Sequence, residues 1–208
     1  MHAVIVVAHP DRTSLTHAVA QKVSEGIEAA GAENSFEIAD LSAEGFDPRY
    51  TQQDFAAFSA SQAVPDDVAA EQSRLDRADA LVLVYPVYWW SMPAVLKGWL
   101  DRVFTRGWAY DDLSERDVVK MLGRLSIHLV AIGAADERTY TRHGYFGAMR
   151  TQIDHGVFGY CGAPVMTSEF LLPSEAGFPG SILDKAEVLG QSIFASGREG
   201  ASPLMLRA

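Results

Sequence analysis

The stretch ALVLVYPVYWWSMPAVLKGWLDRVF (residues 80–104) decides the architecture. Its first seven residues, ALVLVYP (80–86), are apolar throughout, the pattern of a strand covered on both faces. From Pro93 to Phe104 the apolar residues fall as Val95/Leu96, Trp99/Leu100 and Val103/Phe104, one face of a helix, with Lys97 and Asp101 paired at i,i+4 on the other. Between strand and helix, four aromatics and two prolines crowd into nine residues, 85–93. Strand tips in water usually carry Gly, Asn, Asp or Ser. Tyr88, Trp89 and Trp90 in that place point either to a large planar ligand or to packing beneath the following helix.

Working outward, the same alternation recurs. AVIVVAH (3–9) predicts a second buried strand, followed by a helix with Leu15, Val19, Val23 and Ile27 at spacing four, stopped at Gly31. SFEIADL (35–41), LSIHLVAIG (125–133) and VMTSEFLL (165–172) read as three more strands. Helical patterns cover 68–79, 144–160 (closed at Gly162) and 181–194. Alternating strands and helices imply parallel pairing with helices on both faces. Five strands suit a flavodoxin-like, doubly wound α/β sheet of order 2-1-3-4-5, whose ligand sits at the carboxyl ends of the strands. The intervals 44–67, 105–119 and 172–180 are too long for turns and are expected to shape a site, lie on a partner subunit or be mobile.

Composition narrows the function. The 208 residues suit one domain, 1–208, ending in a tail from about 196 to 208. A formal net charge of −10 without a basic patch speaks against nucleic acid and anionic membranes as partners. Cys161 is the sole cysteine, so an intramolecular disulfide is impossible and a reducing compartment is expected. It reads as a buried, small apolar residue. The N-terminal apolar run is short for a signal segment, and no run nears the roughly 20 apolar residues of a membrane span. A cytoplasmic protein without membrane insertion is the expectation.

Three tips carry the candidate chemistry. In AHPDRTSLTH (8–17), Thr13, Ser14 and Thr16 place hydroxyls at a helix start, where free N–H groups and the dipole favour an anion, and His9 can donate to the same anion. Either a phosphate cradle or a simple N-cap satisfies this pattern. The second tip is the aromatic stretch. In the third, AIGAADERTYTRHGY (131–145), Gly133 permits close backbone approach, and Tyr140 and His143 stand three apart. Such a pair can donate hydrogen bonds to an oxygen gaining negative charge; a solvated polar loop is the plainer alternative. No metal motif, P-loop, GxGxxG fingerprint or GxSxG elbow occurs, so no metal is expected.

Taken together, AHPDRTSLTHAV, the order from VAAEQSRLDRAD through PAVLKGWLDRVF, GWAYDD, and HGYFGAM followed by GYCG resemble the NAD(P)H:quinone oxidoreductases of DT-diaphorase type. The resemblance implies a tightly held flavin, FAD or alternatively FMN. It implies ping-pong hydride transfer from NADH or NADPH through flavin N5 to a quinone-like acceptor, at a homodimer interface. By position it implies that His9, Ser14, Leu15 and Thr16 meet the flavin phosphate. Pro86, Val87, Tyr88, Trp89 and Trp90 would run along the ring, and Ala131, Ile132, Gly133 and Ala134 would hold its pyrimidine end. His143, with Tyr140, would stabilise charge, and Tyr110 and Trp108 of the GWAYDD loop would face the substrate. Tyr140 lies closer to His143 than the family tyrosine does, and Ala134 stands where a glycine is expected. A flavin-binding regulatory subunit of a transporter or channel, and a one-electron carrier, are the rival functions.

Overall fold

The computed structural model describes residues 1–59, 62–112, 117–174 and 176–195; the expected tail at 196–208 lies outside these. In chain order the first elements are β1 (His2–Val7), α1 (Leu15–Ala30), β2 (Ser35–Asp40), α2 (Gln52–Phe58) and α3 (Asp66–Asp76). Then come β3 (Ala80–Pro86), α4 (Ala94–Val103), β4 (Tyr110–Asp111), β5 (Val119–Lys120) and β6 (Ser126–Ile132). The chain continues through α5 (Glu137–His143), α6 (Tyr145–Arg150), a π-helical segment (Thr151–Gly159), β7 (Val165–Leu171) and α7 (Gly180–Ser192).

β2, β1, β3, β6 and β7 form one parallel sheet in that spatial order, which is 2-1-3-4-5 among its own five strands. Alternation along the strands feeds two cores. Val4, Val6, Leu81, Leu83, Tyr85 and Leu129 face Leu96, Trp99 and Val103 of α4. Ile5, Val7, Val82, Val84 and Val130 face Val19, Val23 and Ile27 of α1 and Ile182, Ala186 and Leu189 of α7. Each fully buried side chain of this kind contributes about 1.5–3 kcal/mol before chain entropy is set against it. Because Val7 pairs with Val84 and Val84 with Val130, β1, β3 and β6 present their carboxyl ends together.

The helix of the opening stretch forms as its pattern implies, and Lys97 Nζ donates to Asp101 Oδ1 at 2.6 Å. Gly98 has a packing role: a Cβ there would stand 2.2 Å from the Pro48 carbonyl oxygen, where the 44–67 excursion crosses α4. That excursion is not a plain loop. It contains α2, closed by a capping box between Thr51 and Asp54, and Arg102 fastens it. The Arg102 guanidinium is 4% exposed and donates to Asp54 Oδ1 (3.0 Å), both carboxylate oxygens of Asp67 and the carbonyl of Asp47. The 105–119 interval likewise supplies β4, which pairs antiparallel with β5, a small second sheet that short polar sequence does not announce.

The helix expected over 144–160 begins earlier and changes character. Gly144, at φ 70°, ends α5 in the left-handed conformation that glycine adopts without penalty, and α6 restarts from it. From Thr151 the winding widens to π across Gly156 and Gly159, residues of low α propensity. Among the described residues no helix is long and apolar enough to cross a membrane.

His128 on β6 is 2% exposed; its Nδ1 lies 2.7 Å from Thr167 Oγ1, while Nε2 has no partner among the described residues. Burial pushes its pKa down to about 4 from 6.5, so the native state holds it neutral while the unfolded chain takes up a proton in that window. The unfolded state therefore binds more protons, and stability falls as pH drops from about 6.5 to about 4. Urea unfolding at about pH 7 and about pH 4.5 should show a loss of ~2–3 kcal/mol from this group. His128→Leu should remove that part of the pH dependence.

Candidate functional site

The Trp89–Trp90 pair sits at the crown of a tight turn. Tyr88 and Ser91 exchange backbone hydrogen bonds of 3.1 and 3.0 Å across it. Both central residues have positive φ, 51° and 57°, the mark of a type I′ turn that normally carries Asn-Gly. Left-handed backbone costs a non-glycine residue about 1–2 kcal/mol. Trp89, 93% exposed, recovers none of this by burial. The N–H groups of Trp89 and Trp90 meet no acceptor among the described residues.

Trp90 behaves differently from its neighbour. Its ring stacks on Tyr145 at 3.6 Å and 12°, and meets Tyr140 edge-on at 5.3 Å. Ser91 Oγ donates to Gln152 Oε1 at 3.1 Å and ties the turn to the π-helical segment. Of the two readings of the aromatic tip, packing holds for Trp90, whereas Trp89 stands open.

At the first tip, Ser14 is the N-cap of α1: its Oγ accepts from the His17 N–H at 3.4 Å. Thr13 is committed elsewhere, its N–H and hydroxyl both donating to Asp11 Oδ1 at 2.8 and 2.7 Å. Those bonds hold the Asp11 carboxyl below its usual range. His9 Nδ1 accepts from the Asp11 N–H at 3.1 Å. The Thr16 side chain is buried and Leu15 packs against the α1/α7 core, so these two offer backbone N–H groups, neither of which meets an acceptor among the described residues. Beside them a cleft of about 360 Å³ runs between α1 and β2, lined by Arg12, Thr13, Ser14, His17, Gln21 and Ile38. Two further side chains join the cap. Ser14 Oγ lies 2.9 Å from His17 Nδ1, and His17 Nε2 lies 3.0 Å from Asp40 Oδ2.

At the third tip the side chains of Ala131 and Ile132 belong to the two cores. The Ile132 carbonyl accepts from the Val87 N–H, and the Gly133 N–H donates to Leu171, so this backbone already serves the sheet. Ala134 is exposed. Gly133 is needed for packing, because a Cβ would stand 2.5 Å from Tyr140 Oη and 2.6 Å from Leu172. Tyr140 is fully buried, its hydroxyl without a partner among the described residues, whereas His143 is exposed. The helical turn forms but does not pair them; Tyr145 stands between, stacked on His143 at 5.3 Å and edge-on to Tyr140 at 6.2 Å.

Trp108 and Tyr110 lie in other surroundings. The Trp108 indole N–H donates to Asp76 at 3.1 Å. Tyr110 meets Tyr160 edge-on at 5.1 Å, and both line a cleft of about 630 Å³ with Tyr50, Phe58, Phe104 and Cys161. Burial raises the Cys161 thiol to about 11, which keeps it protonated and unreactive. Among the described residues no group of three or more His, Cys, Asp or Glu is placed to hold a metal.

Tyr145 and the His17–Asp40 pair are the site residues the sequence reading missed. Tyr145 follows His143 by two positions and His17 follows Ser14 by one helical turn, so both signals were local. Asp40, at the end of β2, needed the sheet order to reach His17.

Known proteins carry the same framework. The chain is 28% identical over 184 residues to the ribosyldihydronicotinamide dehydrogenase (quinone) of Mus musculus, spanning 79% of this chain and 78% of that protein. The solved NAD(P)H:quinone oxidoreductase from Methanothermobacter marburgensis superposes with a TM-score of 0.79 at 27% identity, covering 96% of this chain and 98% of that one. The general stress protein 14 of Treponema denticola, solved in complex with FMN, superposes with a TM-score of 0.61 at 25% identity, covering 94% and 97% of the two chains. The Flavodoxin_2 family model, described as a flavodoxin-like fold, matches residues 1–181. The chain belongs to the Flavodoxin_2 family, with NAD(P)H:quinone oxidoreductases among its relatives.

Proposed function

We propose that this chain is a flavin-dependent NAD(P)H:quinone oxidoreductase, taking electrons from NADH or NADPH and passing them to a quinone-like acceptor in two half-reactions at one place. The observation that carries this reading is the strained, exposed Trp89–Trp90 turn, whose free N–H groups share one edge of the sheet with the anion cradle at Ser14. Strain of this kind persists where a site requires it.

The donor set fits a flavin. The free N–H groups of Leu15 and Thr16, the Ser14 hydroxyl and the largely exposed Arg12 suit its phosphate end, with the α1 dipole aligned to help. The N–H groups of Trp89 and Trp90 suit the polar edge of its ring, and the Trp89 indole offers a flat apolar wall. The cleft running on from the cradle between α1 and β2 leaves room beyond a first phosphate, which supports FAD over FMN. When bound, the flavin supplies the hydride-transfer chemistry. The protein then orients two planar partners in turn and holds compensating charge, and His143, exposed beside Tyr145, is the group to donate to an oxygen gaining charge.

Tyr50, Phe58 and Tyr160 are exposed aromatics lining the Tyr110 cleft, a surface suited to a second copy of the chain. Tyr110 and Trp108 would then face a substrate on the partner's site. The proposed compartment is the cytoplasm.

The direct test is to purify the protein, record its visible spectrum and identify the released chromophore by chromatography. A preparation that stays colourless after incubation with excess FAD and FMN overturns the reading. His143→Ala should slow reduction of bound flavin by NAD(P)H on the order of tenfold to a hundredfold in stopped flow, with flavin still bound. Ser14→Asp sets a like charge against the phosphate, and the flavin should be lost on dialysis. Trp89→Asn replaces a strained residue by one that tolerates left-handed backbone. It should raise stability by about 1 kcal/mol in thermal unfolding while lowering quinone turnover.

A further inference from the structure

Ser14, His17 and Asp40 form a hydrogen-bonded chain whose protons can be placed by chemistry alone. Asp40 Oδ2 lies 3.0 Å from His17 Nε2, and an ionised carboxylate only accepts, so Nε2 carries the ring proton. Burial pushes the Asp40 carboxyl up, but the bonds from His17 and the Ala43 N–H and the charge of Arg12 outweigh it and hold the carboxyl below its usual range. Whenever the ring is neutral, Nδ1 presents a lone pair, and Ser14 Oγ, 2.9 Å away, donates to it. This leaves the only hydroxyl free to serve the cradle pointing its proton inward, with an oxygen lone pair facing any arriving phosphate. Like lone pairs repel.

Resting on the flavin reading above, we propose that His17 is a positioning residue that takes up one proton as the phosphate end of a flavin binds. The added proton, drawn from solvent, sits on Nδ1. Nδ1–H then donates to Ser14 Oγ, Ser14 turns its own proton toward the phosphate, and Nε2–H keeps its bond to Asp40. No bond between heavy atoms changes, and the net gain is one proton per phosphate-bearing ligand.

The surroundings favour this arrangement. His17 and Asp40 side chains are 17% and 14% exposed, so the imidazolium–carboxylate pair is partly shielded from water. Arg12 Nε lies 3.7 Å from Asp40, and the His9 ring stands edge-on at 6.4 Å with its Nδ1 accepting from the Asp11 N–H. The Asp11 carboxylate is the second negative charge near His17 and is bound by Thr13. Two carboxylates thus face one added proton, while the two cationic or titratable neighbours, Arg12 and His9, are engaged with those carboxylates' own segment or with Asp40. Without a ligand the extra charge is unneeded; with a phosphate reached through Ser14, two hydrogen bonds from the ring, it completes a charge-assisted chain.

Calorimetry on the full-length protein, stripped of flavin, tests this at about pH 8, where an ordinary imidazole is neutral. Titrations with FAD, whose pyrophosphate charge does not change across neutral pH, are run in two phosphate-free buffers of different ionisation enthalpy, and riboflavin serves as the ligand lacking phosphate. The expected result is proton uptake with FAD and none with riboflavin. His17→Gln should abolish the uptake and weaken FAD about tenfold to a hundredfold with riboflavin affinity unchanged. Asp40→Asn should reduce both the uptake and the affinity. Nitrogen-detected NMR of the His17 ring gives a second readout, with one protonated nitrogen in the free protein and two in the FAD complex. FAD binding without proton uptake, or equal uptake by wild type and His17→Gln, overturns the proposal and leaves the flavin reading intact. Failure of wild type to bind FAD, FMN or riboflavin overturns both.

Discussion

The pairing of β3 with β1 on one side and β6 on the other is the constraint from which the rest of the molecule follows. It sets Val7, Val84 and Val130 in one row, so the three chain segments that leave the sheet do so at one edge and within reach of each other. The last pair of the β3–β6 ladder, Pro86 with Ile132, continues into the bond from the Val87 N–H to the Ile132 carbonyl. That bond consumes the backbone at the third tip and leaves the turn at Tyr88–Ser91 to project alone. The open donors of the second tip and the closed backbone of the third are thus two sides of one ladder end. A slip of one residue would turn every β3 side chain to the opposite core and carry the turn with it.

Around this frame the acidic composition serves a structural purpose. Arg102 holds Asp54 and Asp67 against α4, and Arg74 meets Glu37, Glu44 and Glu71 with contacts of 2.8–3.0 Å. Arg102–Asp54 is the pair buried on both sides, 4% and 3% exposed, and losing one partner there costs about 3–5 kcal/mol because the remaining charge is stranded; the pairs to half-exposed Asp67, Glu37 and Glu44 are screened by water and contribute little. They are registry devices. They hold the 44–67 excursion in place, so that the chain at Pro48 touches Gly98 and the aromatics Tyr50 and Phe58 line the Tyr110 cleft. The turn at Trp89 draws on the stability that this packing secures.

The apolar runs made the five strands and the order of the sheet legible, because burial on both faces leaves little choice of residue. Ser14 as a cap was legible for the same reason: few side chains satisfy a helix start. The aromatic tip was visible, but not the division of labour within it, since Trp89 and Trp90 differ only in what a distant helix, through Tyr145, offers the second of them. Tyr140 and His143, expected to face one another if a helical turn formed, do share a turn of α5, yet one is buried and the other open. Helical spacing gives a common side and says nothing of depth. Asp40 and His17 meet only because β2 lies beside β1, a contact between residues 23 apart that no local pattern carries.

The π-helical segment between Thr151 and Gly159 behaves as a helix that has absorbed a spare residue without growing longer. A spare residue held in this way is taken up within the wide coil, so losing it would return the winding to α while the segments on either side keep their facing. Gln152, tethered to the turn through Ser91, stands at the near end of the wide coil, and Tyr160 and Cys161, on the wall of the Tyr110 cleft, follow its far end. The wide coil thus lies between the tether of the turn and the wall of the Tyr110 cleft, and a length change of one residue taken up within it leaves both in place.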